Sequence, residues 1–237
     1  MVYGWLKQMA SDVYSPYCLL CAQRSRTRQE LCQDCAHDLP WNRHACPGCA
    51  LPMPVEARAA LCGECLRSPP PWDSAASPLI YAWPLDQLLQ RFKFHADLAT
   101  GRLLGELLAE FLAASPASRP EVLVPVPLHS ARLRERGFNQ ALELARPVSR
   151  RLHLHLDNRL CVRRKNTAVQ SKLDARERHR NLRDAFEVCH PVSGAHVAVL
   201  DDVITTGVTM TALSQVLREA GATQISVWSL ARAARLR

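Results

Sequence analysis

The chain has 237 residues, 48% hydrophobic and 22% charged, with ten cysteines and a formal net charge of +8. That length can bury a sizeable core and hold one α/β domain beside a smaller module. No apolar run approaches the ~20 residues of a membrane helix, and Met1 to Tyr17 holds no uninterrupted apolar stretch of signal-peptide length, so neither membrane insertion nor a secreted, disulfide-stapled fold is expected, and the expectation is a cytoplasmic protein with reduced cysteines.

Reduced cysteines in ordered pairs point to metal. Residues 1–67 are expected to form one small module, because its cysteines fall in four C-x2-C pairs: Cys18/Cys21, Cys32/Cys35, Cys46/Cys49 and Cys62/Cys65, separated by ten, ten and twelve residues. A C-x2-C turn places two thiolates on one side of a tetrahedral ion, and a second such turn closes a four-cysteine structural site. Eight cysteines therefore predict two structural Zn²⁺ ions in a pattern that resembles a double zinc ribbon. Sequential pairing closes the shortest loops and is favoured over an interleaved, cross-braced arrangement. His37 and His44 lie near the ligands and read as ordinary surface histidines, since four thiolates per site already satisfy zinc. Cys161 and Cys189 read as core or half-buried thiols.

Ser68 to Ser77, with prolines at 69 to 71, cannot continue regular structure and reads as a linker. The second domain, 78–237, opens with a strand at Leu79 to Trp83 and a helix from Leu85 to Phe94. An amphipathic helix from Leu98 to Ala114 follows, with Leu103, Leu104, Leu107, Leu108, Phe111 and Leu112 as its buried stripe. Val122 to Val126 is the next strand, Asn139 to Leu152 a helix, Leu154 to Val162 partly extended and Ala185 to Val188 a short strand. Val197 to Leu200, a helix from Val208 to about Ala220, and Ile225 to Leu230 complete an alternation that argues for a parallel α/β sheet.

Charge is concentrated in Ala131 to Arg183, where fifteen Lys or Arg stand against five Asp or Glu, a net +10 against +8 for the whole chain. Such a surface suits polyanions, a pyrophosphate or a nucleic-acid backbone, or is simply a solvated Arg-rich face. Aromatics that could stack bases are sparse there, with Phe138 alone.

The densest chemistry lies between Val197 and Thr209. A short β-branched run reads as a central parallel strand, and Asp201 and Asp202 fall at its carboxyl end, where ligands bind in open α/β sheets. Val203, Thr205, Thr206, Gly207, Val208 and Thr209 follow: the glycine lets backbone approach a ligand, and the hydroxyls add donors to the free N–H groups of the next helix. The segment resembles the phosphoribosyl-pyrophosphate (PRPP) motif of the type I phosphoribosyltransferases. That resemblance implies that Asp201 and Asp202 hold the ribose 2′ and 3′ hydroxyls and act catalytically, that Thr205 to Thr209 hold the 5′-phosphate, and that Mg²⁺ accompanies PRPP.

Upstream, Pro127-Leu-His-Ser-Ala-Arg-Leu-Arg-Glu-Arg-Gly-Phe-Asn-Gln140 lies between a strand and a helix. Together with Arg164, Thr167, Gln170, Leu173, Arg178 and Asn181, the Phe92-Lys93-Phe94 element and the cysteine module, it is similar to the ComF (competence protein F) family of phosphoribosyltransferase-like proteins. The resemblance covers nearly the whole chain. It implies a pyrophosphate cradle at Pro127, Leu128, His129 and Ser130, with Arg132, Arg134 and Arg136 adding charge that binds phosphate bidentately. Lys93, between two phenylalanines, is as readily a snorkelling surface residue. The resemblance further implies a role in natural transformation or recombination, with single-stranded DNA and a helicase-like ATPase as partners. An active phosphoribosyltransferase with an acceptor that no motif names, or a non-catalytic PRPP sensor, remains open beside it.

Overall fold

The computed structural model describes residues 16–27, 29–57, 60–115, 119–165 and 185–234. Its amino-terminal part uses one turn-and-helix unit twice. The carbonyls of Cys18 and Cys46 accept from Ala22 and Ala50 at 2.9 and 2.8 Å, and both alanines are left-handed, at φ 58° and 57°. The next cysteine pair of each unit opens a short helix, α1 (Gln33–His37) and α2 (Gly63–Arg67), with Cys32 and Cys62 as N-caps. Each cap sulfur accepts from the N–H of the cysteine three residues on, at 3.5 Å, satisfying a helix-start donor that would otherwise lack a partner.

Strands β1 (Ser74–Ala76) and β2 (Leu79–Ile80) follow, then helices α3 (Leu85–Phe94) and α4 (Leu98–Ala113), strand β3 (Val122–Pro125), helices α5 (Ser130–Arg136) and α6 (Gln140–Leu152), and strands β4 (His155–Leu156), β5 (Cys161–Arg163) and β6 (Phe186–Val188). Strand β7 (His196–Ile204), helix α7 (Val208–Glu219) and strand β8 (Gln224–Arg232) close the chain. The main sheet runs β1-β8-β7-β3-β4, with β2 continuing the edge against β8, and every pairing in it is parallel. Strands β5 and β6 form a separate antiparallel pair.

Alternation along the strands divides the interior into two layers. Leu123, Ala198, Leu200, Trp228 and Leu230 face α3, α4 and α6, among Leu88, Leu104, Leu108 and Leu144. Val124, Val197, Val199, Ile225 and Val227 face α7 and the β5–β6 pair, among Leu213, Leu217, Leu160 and Phe186. Both faces of β7 are thereby dry, and its run of β-branched and aliphatic residues follows from that.

The structure departs from the sequence reading in several places. Ser74 to Ala76, expected to be irregular, pairs with Ser226 to Trp228 as an edge strand, so only the prolines before it interrupt regular structure. The strand expected to reach Trp83 ends at Ile80, because β8, its partner, ends at Arg232. Phe111 is on the solvent side of α4, 36% exposed, while the five leucines of that stripe are buried. Cys161 is buried as expected, but Cys189 is exposed. The cysteine module also shares the main core: Cys18, Leu31 and Leu39 are buried with α3 and α4, Asn42 N–H donates to Pro78 at 2.7 Å and Ile80 N–H to Pro40 at 2.7 Å. Among the described residues, no helix is long and apolar enough to cross a membrane.

Candidate functional site

Strand β7 continues past Leu200, and Asp201 and Asp202 lie within it rather than beyond its end, because β8 keeps pairing through Ala231 and Arg232 opposite Val203 and Ile204. Adjacent strand residues leave the backbone on opposite faces, yet the two carboxyl groups stay in contact, Asp202 acting on Asp201 through its charge and a side-chain hydrogen bond. Asp202, 8% exposed, turns toward α3, where Lys93 Nζ lies 2.5 Å from its Oδ2. Asp201 is half-buried, and each acid accepts the next residue's N–H, at 2.9 Å for Asp201 and 2.8 Å for Asp202. Burial, and then the charge of Asp202, hold the Asp201 carboxyl well above the usual carboxylate range, with Lys93 opposing the rise.

Beyond Ile204 the chain turns through Gly207, left-handed at φ 83°, into α7. Asp201, Val203 and Thr205 to Thr209 line one small concavity with Ile204 and Met210. The first turn of a twelve-residue helix offers backbone donors there. Strand β3 lies beside β7 with Pro125 opposite Leu200, and Val126 N–H still donates to Leu200 at 2.9 Å. Pro127, Leu128 and His129 therefore leave the sheet next to the two acids. Asn139 clamps the far end of this excursion: its Nδ2 donates to Val126 at 3.0 Å and its Oδ1 accepts from Ala141 at 3.0 Å.

The segment carrying the three arginines is a helix, α5, not a loop. His129 caps it through Nδ1, and left-handed Gly137 ends it. Arg132 pairs with Glu135 at 3.5 Å, Arg134 is exposed, and Arg136 lies over the Phe94 ring, 5.8 Å from its centroid. Thr167, Gln170, Leu173, Arg178 and Asn181 lie outside the described residues.

Two residues beside the candidate site carry little signal in the sequence. Lys93 is the direct partner of Asp202, and its signal was the Phe-Lys-Phe element: Phe92 is fully buried and Phe94 is 71% exposed, so the residue between them sits at the layer boundary. Of the adjacent arginines, Arg164 pairs with Glu187 at the surface at 2.6 Å, and it is Arg163 that lies near the acids. Burial lowers the pKa of Arg163, while the charge of Asp201 supports its ionisation and that of Arg132 opposes it. All three are thus within electrostatic reach. Alternation along β5 decides which of two adjacent arginines faces inward, and a three-residue strand carries too little pattern to read that from sequence.

The eight cysteines form two clusters, Cys18, Cys21, Cys32 and Cys35, then Cys46, Cys49, Cys62 and Cys65, with the sulfurs of each within 4.8 Å of one another. This is the sequential pairing. Cys21 and Cys32 sulfurs are 3.7 Å apart and Cys49 and Cys62 sulfurs 3.6 Å, where a tetrahedral zinc with bonds of about 2.3 Å needs about 3.8 Å. Without a cation the four thiols of a cluster cannot all ionise. Burial raises the Cys18 thiol, yet N–H groups of Cys21, Cys32 and Leu20 bring it net down to about 6, while burial and the neighbouring thiols push Cys35 up. Cys62 goes down to about 7 by the same balance, burial against the Cys65 N–H and its neighbouring thiols, and burial drives Cys65 up. A divalent soft cation resolves both conflicts, so the donor sets fit Zn²⁺. His37 and His44 belong to neither cluster.

Comparison with known proteins agrees with this architecture. The double zinc ribbon domain family matches residues 10–66. "DNA utilization protein YhgH" of Escherichia coli (strain K12) is 38% identical over 206 residues, 85% of this chain and 90% of that protein. "Competence protein F" of Haemophilus influenzae is 40% identical over 181 residues, 73% of this chain and 78% of that protein. The chain belongs to the ComF family. As a ComF-family member it has the architecture the resemblance implied, a parallel sheet flanked by helices behind a zinc ribbon with two four-cysteine clusters. Among solved structures, a glutamine PRPP amidotransferase from B. subtilis, complexed with ADP and GMP, is 19% identical with a TM-score of 0.40, over 55% of this chain and 26% of that one.

Proposed function

We propose that this ComF-family chain binds PRPP at Asp201, Asp202 and the Thr205–Thr209 turn, and that it acts in DNA uptake or recombination in the cytoplasm. The observation that carries the reading is the placement of the two acids on the central strand: Lys93 pairs with one, burial and the charge of its neighbour raise the pKa of the other, and a helix-start cradle lies one turn away. Two hard carboxylates suit ribose hydroxyls or Mg²⁺; bound with PRPP, that ion would supply charge neutralisation of the pyrophosphate. Asp201 and Asp202 would orient the sugar, the backbone at Thr206 to Thr209 would hold the 5′-phosphate, and Pro127 to His129 with Arg132 and Arg163 would face the pyrophosphate end. Saturable, Mg²⁺-dependent PRPP binding is expected in equilibrium titration, and no binding with or without Mg²⁺ refutes the reading. Release of pyrophosphate with a candidate acceptor would make the site a transferase, while binding without release would make it a sensor.

The relatives' names, DNA utilization and competence, support a DNA-directed role. So does the Phe94–Arg136 stack beside Arg132 and Arg134. An exposed ring with a guanidinium across it is a platform on which a base of single-stranded DNA can stack while arginines meet the backbone. Single-strand binding should weaken steeply with salt and disappear when Phe94, Arg134 and Arg136 are replaced together; the same affinity in that variant would exclude this face. A helicase-like ATPase is the expected protein partner.

A further inference from the structure

The second cysteine cluster is bolted to the phosphate turn. Three consecutive carbonyls of its Cys46–Cys49 turn accept hydrogen bonds from the sheet domain: Pro47 from Ala75 N–H at 2.8 Å, Gly48 from the Trp72 indole at 2.6 Å, and Cys49 from Arg232 Nε at 2.9 Å. Two of those donors also touch the segment read as the phosphate cradle. Arg232, 3% exposed at the end of β8, donates through Nη1 to Ile204 at 2.8 Å and to Thr205. Trp72, also buried, has its Cη2 against Gly207, where an added Cβ would lie 3.5 Å away. A cleft of about 450 Å³ lined by Trp72, Cys49, Thr206, Gly207 and Arg232 lies between the two segments. Among the described residues the first cluster has no such contact with the turn: its anchors are Leu19 to Arg91 at 2.6 Å, Glu30 to Arg102 at 2.8 Å and Gln29 to Glu110 at 2.6 Å.

We infer that Arg232 and Trp72 are positioning residues that couple metal occupancy of the Cys46/Cys49/Cys62/Cys65 cluster to ligand affinity at the Thr205–Gly207 turn, and that the first cluster is not so coupled. The inference rests on reading that turn as a phosphoribosyl site. Metal at the second cluster fixes the Cys46–Cys49 turn, whose carbonyls fix the guanidinium and indole, which in turn hold Ile204, Thr205 and Gly207 in place. Coupling of this kind is reciprocal, so a ligand that needs the ordered turn retains the metal of that cluster alone.

The test uses the full chain loaded with zinc, challenged with a chelator and a thiol-alkylating reagent with and without Mg²⁺·PRPP, with modification of each cysteine followed by peptide mass. PRPP is expected to slow modification of Cys46, Cys49, Cys62 and Cys65 about five-fold or more while Cys18, Cys21, Cys32 and Cys35 react at an unchanged rate, a factor at the lower end of ordinary site-to-site coupling. Trp72→Phe, which keeps a ring and removes the indole donor, and Arg232→Lys are each expected to erase that selective protection and to weaken PRPP by a similar factor. Measured PRPP binding with equal protection of both clusters, or with none, overturns the coupling and leaves the PRPP site standing. Full selective protection in both variants also overturns it. Failure of the zinc-loaded wild type to bind PRPP removes the site and the coupling together.

Discussion

Asp201 is placed where its own ionisation costs stability. With its pKa raised in the fold above the ordinary 3.8, the folded state holds a proton that the unfolded chain has released, so this residue's contribution is undiminished below about pH 4 and is lost as pH rises toward the folded value. Asp201→Asn is therefore expected to raise the melting temperature at pH 7 and to leave it unchanged at pH 4; a shift of the same size at both would show that charge is not the cause. Lys93 is the complementary case. Replacing it by Met leaves Asp202 buried without its cation, at a cost of about 1–3 kcal/mol in denaturant unfolding, and adding Asp202→Asn should recover most of that loss. Additive losses in the double variant would mean that the pair contributes nothing jointly. The two acids were legible from sequence because the strand before them and the Thr-Thr-Gly turn after them form an ordered pattern. Lys93 was not, since its partner lies more than a hundred residues away and only the packing of α3 onto β7 brings them together.

At the scale of elements, close helix approach sets the position of Lys93. A Cβ on Gly101 of α4 would penetrate the ring of Phe92, and one on Gly105 would lie 2.8 Å from Pro147 of α6. Phe92 is fully buried and has no room to yield. Gly105→Ala is expected to destabilise the protein by about 1–3 kcal/mol, and an unchanged unfolding midpoint would show that α4 and α6 separate without penalty. Helices α3, α4, α6 and α7 were readable from their apolar periodicity, as were the strands between them. Helix α5 was not, because Ser130 to Arg136 is polar nearly all round and its existence depends on a histidine cap and a left-handed glycine at its ends. Pairing of the cysteines was favoured from loop length alone, and the clusters agree with it. Cys21→Ser should therefore reduce zinc from two ions per chain to one and leave Cys46 to Cys65 resistant to alkylation. Loss of both ions would contradict the sequential arrangement.

Over the whole molecule, the first half of the cysteine module shares an interior with the α/β sheet, while the second cysteine cluster packs as its own small core beside it. Strand β1 arises from a segment that reads as a linker, and residues 40–42 bond to residues 78–80 at the sheet edge. Sequence composition separates the two units because cysteine spacing and aliphatic periodicity are different signals, while the bonds that join them, among them those of Arg91, Arg102, Trp72 and Arg232, are scattered along the chain and carry no periodicity. The second cysteine cluster therefore stands against the turn after β7, while the first is anchored on α3 and α4, away from that turn. That arrangement predicts a site whose integrity depends on the second cluster, with the paired acids at its centre. Isothermal titration of PRPP into the zinc-loaded chain, with Mg²⁺, and into Asp201→Asn and Asp202→Asn tests this most directly. Saturable binding to the wild type that falls at least ten-fold in each variant is predicted; equal affinity in all three proteins would contradict the assignment of the site.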